Sequence, residues 1–323
     1  MRILLTGGTG LIGRALCQYW HAQGHELWVL SRSPSQVPQL CSGAQGVQAF
    51  SELPQTAFDA VINLAGAPIA DRPWTQARRD MLWRSRVDLT RTLVDWMRQQ
   101  STPPRVLISG SAAGWYGDGG DKLLDESSPS SQPDFGSQLC DAWEQEAHKA
   151  SLLGVRVVLL RIAPVLSAHG GMLQRLLPLY KMGLGGRLGS GQQWIPWIHL
   201  DDQVRIIDSL LQREDCSGVF NACAPEPVRN MQFAQTLAQT LHRPALIPTP
   251  AWALRLLLGR CLYCCWAVST WHLAACRRLV LPGSIRSCSR HSTTCWQARQ
   301  QAAFRNKHFY KNSCQRLIHK VFR

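Results

Sequence analysis

Apolar and polar positions along the first two thirds of the chain switch between two periods. Arg2-Ile3-Leu4-Leu5-Thr6 is a short apolar run with strand character, and it leads straight into Gly7-Gly8-Thr9-Gly10-Leu11-Ile12-Gly13. Leu11, Ile12, Ala15, Leu16, Tyr19 and Trp20 then recur at helical spacing up to Gly24, and Leu27-Trp28-Val29-Leu30 predicts a second strand. Asp59-Ala60-Val61-Ile62-Asn63-Leu64-Ala65-Gly66 predicts another apolar strand ending in small residues. A long helix follows with Leu82, Leu89, Leu93, Trp96 and Met97 on its apolar stripe. Pro103-Pro104 closes that helix, and Arg105-Val106-Leu107-Ile108 is the next strand. Strands alternating with helices predict an α/β chain built on a parallel sheet. Residues 165–197, rich in Gly and Leu with Trp194 and Trp197, interrupt this rhythm.

The glycines carry the first chemical signal. Strand, glycine turn, amphipathic helix and strand occur here in order. In that context the glycines allow a tight turn and close backbone approach, and the helix N-terminus faces a pyrophosphate with free N–H groups. In a dinucleotide site, an acid about 20 residues on usually bonds the adenosine ribose. Here Ser31-Arg32-Ser33 ends the second strand with no carboxylate. A guanidinium flanked by hydroxyls can hold a 2′-phosphate in a fork, so the expected cofactor is NADP.

The strand ending at Ile108 is followed by Ser109-Gly110-Ser111-Ala112-Ala113-Gly114-Trp115-Tyr116-Gly117. With Thr6 and the three-residue glycine spacing, this segment resembles the serine segment of the extended short-chain dehydrogenases/reductases, the nucleotide-sugar epimerases and dehydratases. Leu64-Ala65-Gly66-Ala67-Pro68-Ile69, Trp83-Arg84-Ser85-Arg86-Val87 and Gly185-Gly186-Arg187-Leu188-Gly189-Ser190-Gly191 extend the likeness. So do Trp197-Ile198-His199-Leu200-Asp201-Asp202 and Pro225-Glu226-Pro227-Val228-Arg229-Asn230-Met231-Gln232-Phe233. Over residues 1 to about 259 the chain resembles the bacterial NAD(P)-dependent epimerase-family proteins of the atypical branch.

The resemblance implies a Rossmann doubly wound parallel sheet with a smaller C-terminal substrate lobe, expected to be incomplete. Residues 1–164 would form the NADP-binding domain, with 198–224 returning to it, and 165–197 and 225–259 the lobe. It implies cofactor contacts at Gly7, Thr9, Gly10, Leu11, Ile12, Gly13, Arg32, Ser33, Leu64, Ala65, Gly66, Ser109 and Pro164. It makes Ser111 the group that polarises a substrate oxygen. The superfamily's Tyr-x-x-x-Lys pair is missing: Phe135 stands at the tyrosine position and Leu139 at the lysine position. A phenyl ring exchanges no proton and leucine supplies no charge, so the standard mechanism cannot run. Tyr116, Cys140, Asp141 and His199 are the candidate replacements, of which Tyr116 is the one taken as catalytic beside Ser111. Each of the four also has a purely structural reading. Lys181, Arg187 and the lobe tryptophans could hold an anionic, nucleotide-linked substrate or form an ordinary rim. Two functions stay open: an epimerase- or reductase-like enzyme acting on a hydroxyl or carbonyl of a small-molecule substrate, and a non-catalytic NADP-binding regulator.

Composition changes the picture only at the far end. Of 323 residues, 35 are basic and 21 acidic, a formal charge of +14. All the acids lie at or before Glu226, whereas residues 227–323 carry 15 basic residues and none acidic. The excess charge is therefore no argument for a nucleic-acid partner. Five cysteines are scattered and seven fall between Cys261 and Cys314. Scattered cysteines, no apolar run long enough to span a membrane and no signal-peptide pattern at Met1 read as cytoplasmic. Cys288, His291 and Cys295 lack the spacing of a zinc site, so no metal is expected. Tyr263-Cys264-Cys265-Trp266-Ala267 is encoded TAY-TGY-TGY-TGG-GCN. Read from the third base of each codon it becomes three leucines and a glycine, which resembles the Leu-Leu-Leu-Gly of the family at this point. Residues 260–323 are thus expected to be an out-of-frame tail.

Overall fold

The computed structural model describes residues 1–130, 134–224 and 227–244, together with the backbone of 272–273. Seven strands form one sheet: β1 (Arg2–Thr6), β2 (Glu26–Leu30), β3 (Ala44–Val47), β4 (Ala60–Asn63), β5 (Val106–Ala112), β6 (Arg156–Ile162) and β7 (Gly218–Ala222). Their order is β7-β6-β5-β4-β1-β2-β3, and every neighbouring pair is parallel. The order reverses at β1, between β2 and β4, which is where a doubly wound sheet opens a crevice at its carboxyl edge.

A parallel sheet covered on both faces needs strands that are apolar throughout, and β1 shows how the chain meets that need. Ile3 and Leu5 enter one core with Leu16 and Trp20 of helix α1 (Leu11–His21). Leu4, between them, enters the opposite core with residues of two other helices. These are Leu93 and Met97 of α3 (Leu89–Arg98) and Ala147 of α4 (Phe135–His148). Helix α2 (Gln76–Trp83) precedes α3 and is joined to it by a π-helical turn, Arg84–Asp88. Two further helices, α5 (Gly171–Lys181) and α6 (Leu200–Gln212), follow, and α6 leads back to β7. Ile206, Ile207, Leu210 and Leu211 of α6 fill the α1 side of the sheet.

A separate core gathers Leu173, Leu177 and Tyr180 of α5 with Phe233, Ala234 and Leu237 of α7 (Asn230–Thr240). Trp197 belongs to it as well. This is the stretch that breaks the strand-helix rhythm in the sequence. Strand β5 runs four residues past the apolar run that predicted it, because β6 alongside is equally long and pairs as far as Ala112↔Ile162. Ser109 and Ser111 are therefore strand residues rather than loop residues. The Cys- and Arg-rich tail, including Cys288, His291 and Cys295, lies outside the described residues apart from the backbone of His272–Leu273. Pro225 and Glu226 are outside them too.

Candidate functional site

The crevice at the carboxyl edge is real. A cavity of about 260 Å³ is lined by Gly7, Gly10, Leu11, Ile12, Gly13, Leu64, Pro164, Val165, Gly171 and Met172. Seven of these are residues that the sequence marks for cofactor contact. The glycine turn has the shape it has because side chains cannot fit. Gly7 adopts φ +71°, and a Cβ there would stand 2.6 Å from the Leu64 carbonyl. Gly13 would place a Cβ 2.5 Å from Gly7 O and from Gly8 Cα and O. The turn closes with Gly10 N donating to Gly7 O at 3.0 Å.

Helix α1 starts at this turn. Among the described residues no side chain caps its N-terminus, and its first turn contains no acid. Its leading N–H groups and the positive end of its dipole thus face the cavity uncompensated, which fits a phosphate. Gly170 and Gly171, at the start of α5, pack against Leu11 and cover the cleft from the second core. The donors and the cradle fit a dinucleotide pyrophosphate.

Beneath the cleft a buried polar hub joins the carboxyl ends of β1 and β4 to the middle of β5. Thr6 Oγ1 donates to Asn63 Oδ1 at 2.7 Å, and Asn63 Nδ2 donates to Thr90 Oγ1 at 2.8 Å and Ser109 Oγ at 3.1 Å. Trp143 Nε1 donates to the same Thr90 oxygen at 2.9 Å. Ser109 is fully buried and fixes the strand ends rather than lining the cavity. Asn63→Leu keeps the branched outline of the side chain but strands these partners. It is expected to cost about 1–3 kcal/mol per unsatisfied group, read as a lower denaturation midpoint.

Ser111 is also buried. Its hydroxyl donates to Glu144 Oε1 at 2.6 Å, and Arg161 Nε and Nη2 grip the two Glu144 oxygens at 2.9 Å each. The Arg161 guanidinium in turn lies 3.3 Å from the Trp115 ring centroid and 4.7 Å from that of Tyr116. Tyr116 is wholly buried and donates its hydroxyl to Asn221 Oδ1 at 2.7 Å. Burial pushes its phenol up to about 12, Arg161 only partly opposing it. Ser111 and Tyr116 therefore meet through Arg161, and neither is part of the cavity wall.

The other candidates fall in different places. Arg32 and Ser33 are exposed at the end of β2, and Arg32 has no partner among the described residues. Thr9 is half-buried in the glycine turn. Ala65 is half-buried and Gly66 exposed, just after β4. His199 caps α6 by accepting the Asp201 N–H at Nδ1, 3.2 Å away. Asp141 accepts from Trp115 Nε1 and Gln145 Nε2 on the surface. Burial pushes the Cys140 thiol up to about 12, with Glu144 adding to the shift. Phe135 and Leu139 join an apolar cluster with Trp74, Leu82, Val87 and Trp143. Trp194 donates to Asp121 and lies under the Arg229 guanidinium at 3.8 Å.

Glu144 and Arg161 were missed by sequence reasoning, although a lone arginine inside the apolar run Val157–Ile162 was a usable sign. Arg86 was seen only as part of a motif. Among the described residues there is no cluster of His, Cys, Asp and Glu that could hold a metal ion. Among them, too, no helix is long and apolar enough to cross a membrane.

Comparison with known proteins agrees with this geometry. A family profile described as NAD dependent epimerase/dehydratase family matches residues 3–223. The Arabidopsis thaliana "Epimerase family protein SDR39U1 homolog, chloroplastic" is 39% identical over 267 residues, covering 80% of this chain and 76% of that protein. "Epimerase family protein YfhF" of Bacillus subtilis is 36% identical over 267 residues, covering 80% and 86%. The crystal structure of human epimerase family protein SDR39U1 (isoform 2) with NADPH superimposes with a TM-score of 0.75 at 32% identity. The match covers 85% of this chain and 91% of that one. On these matches the chain belongs to the NAD dependent epimerase/dehydratase family.

Proposed function

We propose that this chain binds NADP(H) and acts as an epimerase- or reductase-like oxidoreductase on a hydroxyl or carbonyl group of a small molecule. The observation that carries the reading is the glycine-cradled cavity under the uncapped N-terminus of α1. Support for NADP over NAD comes from Arg32, exposed and unpaired among the described residues at the end of β2, and from the NADPH named with the human relative.

When bound, the cofactor supplies or accepts a hydride. The chain's own residues hold and orient. The first turn of α1 would take the pyrophosphate, and Arg32 with Ser33 the 2′-phosphate. The Ser111 hydroxyl donates a hydrogen bond to Glu144 Oε1, so toward a substrate its oxygen would accept from a hydroxyl, in place of the donation to a substrate oxygen that the resemblance implies. Tyr116 acts one step back, as part of the wall that holds Arg161 and hence Glu144.

The decisive experiment is a titration with NADPH and NADH, followed by nicotinamide fluorescence and by melting temperature. NADPH is expected to bind more tightly. Arg32→Ala should weaken NADPH by about 10- to 100-fold, the worth of a charge-assisted hydrogen bond or two, and leave NADH nearly unchanged. A folded chain that binds neither nucleotide would sink the reading. Equal loss of both ligands in Arg32→Ala would remove Arg32 as the phosphate reader.

One observation favours the non-catalytic regulator: Phe135 and Leu139 are packed into an apolar cluster, so no titratable pair stands at that site. Substrate-dependent oxidation of NADPH across a panel of carbonyl compounds separates the two. Turnover supports the enzyme, and tight binding with no turnover supports the regulator.

A further inference from the structure

The structure leaves Arg86 without a role in the reading above, yet its placement is highly specified. It sits in the π-helical turn Arg84–Asp88, a rare backbone form that recurs at functional sites. Its Nη2 donates to the Ala67 carbonyl at 2.9 Å, and its guanidinium lies 5.5 Å from the Trp143 ring centroid. The neighbouring Ser85 Oγ accepts the Ala67 N–H at 3.0 Å, so the turn grips the loop after β4 from two sides. Gly66 is exposed, and a Cβ there would come within 2.8–3.1 Å of the guanidinium. The cation therefore lies flat along the bare backbone that follows Leu64, a cavity-lining residue.

The route of a dinucleotide fixes what that position meets. In the sheet, β4 stands between β1 and β5. A dinucleotide that runs from the glycine turn at the end of β1 to Ser111 at the end of β5 must cross the residues just after β4. Arg86 lines that crossing.

We propose that Arg86 is a positioning residue for the nicotinamide half of the bound dinucleotide, supplying the fixed donor and positive charge that Leu139 cannot. This rests on the nucleotide-binding reading of the cavity. Arginine suits the task because Nη2 donates to the Ala67 carbonyl and Nη1 to Ser85 Oγ at 3.4 Å, which fix the fork, and its five N–H groups exceed what those two bonds use.

The test compares NADPH with adenosine 2′,5′-bisphosphate, which carries the adenine half alone, on the full chain. In Arg86→Gln, NADPH should weaken about tenfold or more while the bisphosphate stays within roughly twofold. The unliganded variant loses the Ala67 bond and the Trp143 contact and should melt a few degrees lower, a change that by itself would weaken both ligands alike. Arg86→Lys keeps the charge with fewer directed donors, and should fall between wild type and Gln for NADPH only. Equal weakening of both ligands, or no weakening of NADPH, overturns the proposal. If the Gln variant fails to fold, the same comparison on the Lys variant decides. A wild-type chain that binds neither ligand brings down the nucleotide-binding reading and this one with it. A wild-type chain that binds both, with Arg86→Gln indistinguishable from it, brings down this one alone.

Discussion

Glu144→Leu should lower stability by about 3–5 kcal/mol, because it leaves the Arg161 guanidinium buried without its counter-charge. Both side chains are almost completely enclosed, at 4% and 8% exposure, and their contact is a two-pronged one at 2.9 Å. Burial works against the Arg161 charge, but Glu144 outweighs it, and the guanidinium pKa is raised above its ordinary value. The same deletion frees the Ser111 hydroxyl. Denaturant unfolding reads the effect as a fall in midpoint at constant slope. The companion variant makes the argument specific: Glu144→Leu combined with Arg161→Met removes both charges and should recover most of the loss. A cost below about 1 kcal/mol for Glu144→Leu alone would mean that water reaches the pair, as at exposed ion pairs.

That ion pair also shows where reading the sequence stopped. Strand and helix positions were legible because a buried parallel strand must be apolar along its length, and α1 must turn one stripe inward. The glycine turn was legible for the same reason: only residues without a Cβ can fill Gly7 and Gly13. Ser111 was legible as a motif, but its surroundings were not. Its partner Glu144 lies 33 residues away on α4, and Arg161 lies on the strand paired with its own. Nothing in local periodicity announces such a contact. Tyr116 illustrates the reverse. A phenol near a candidate serine invites a catalytic role, whereas the fold turns it inward to Asn221. Arg86 depended on a change of helical register between α2 and α3, which the spacing of Leu82, Leu89 and Leu93 does not reveal.

Gly13→Ala should abolish measurable NADPH binding, a loss of roughly a hundredfold or more, by expelling the glycine turn from its position under α1. The argument is steric rather than conformational. Gly13 lies inside the helix with an ordinary helical backbone, where alanine is the better helix former. The added methyl nevertheless meets Gly7 O, Gly8 Cα and Gly8 O, all at 2.5 Å. All three are backbone atoms, so no side chain can rotate away to relieve the contact. Either α1 or the turn must move, and both supply the donors that face the cavity. Gly24→Ala is the control that separates the two glycine effects. Its φ of +77° makes alanine strained by about 1–2 kcal/mol, yet a Cβ there meets nothing within 4 Å. That variant should melt lower and bind NADPH as well as the parent chain. If Gly13→Ala kept its affinity, the turn would have to be loose enough to shift without loss of contact. The cradle formed by Gly7, Gly8 and Gly13 would then not be what holds the phosphates.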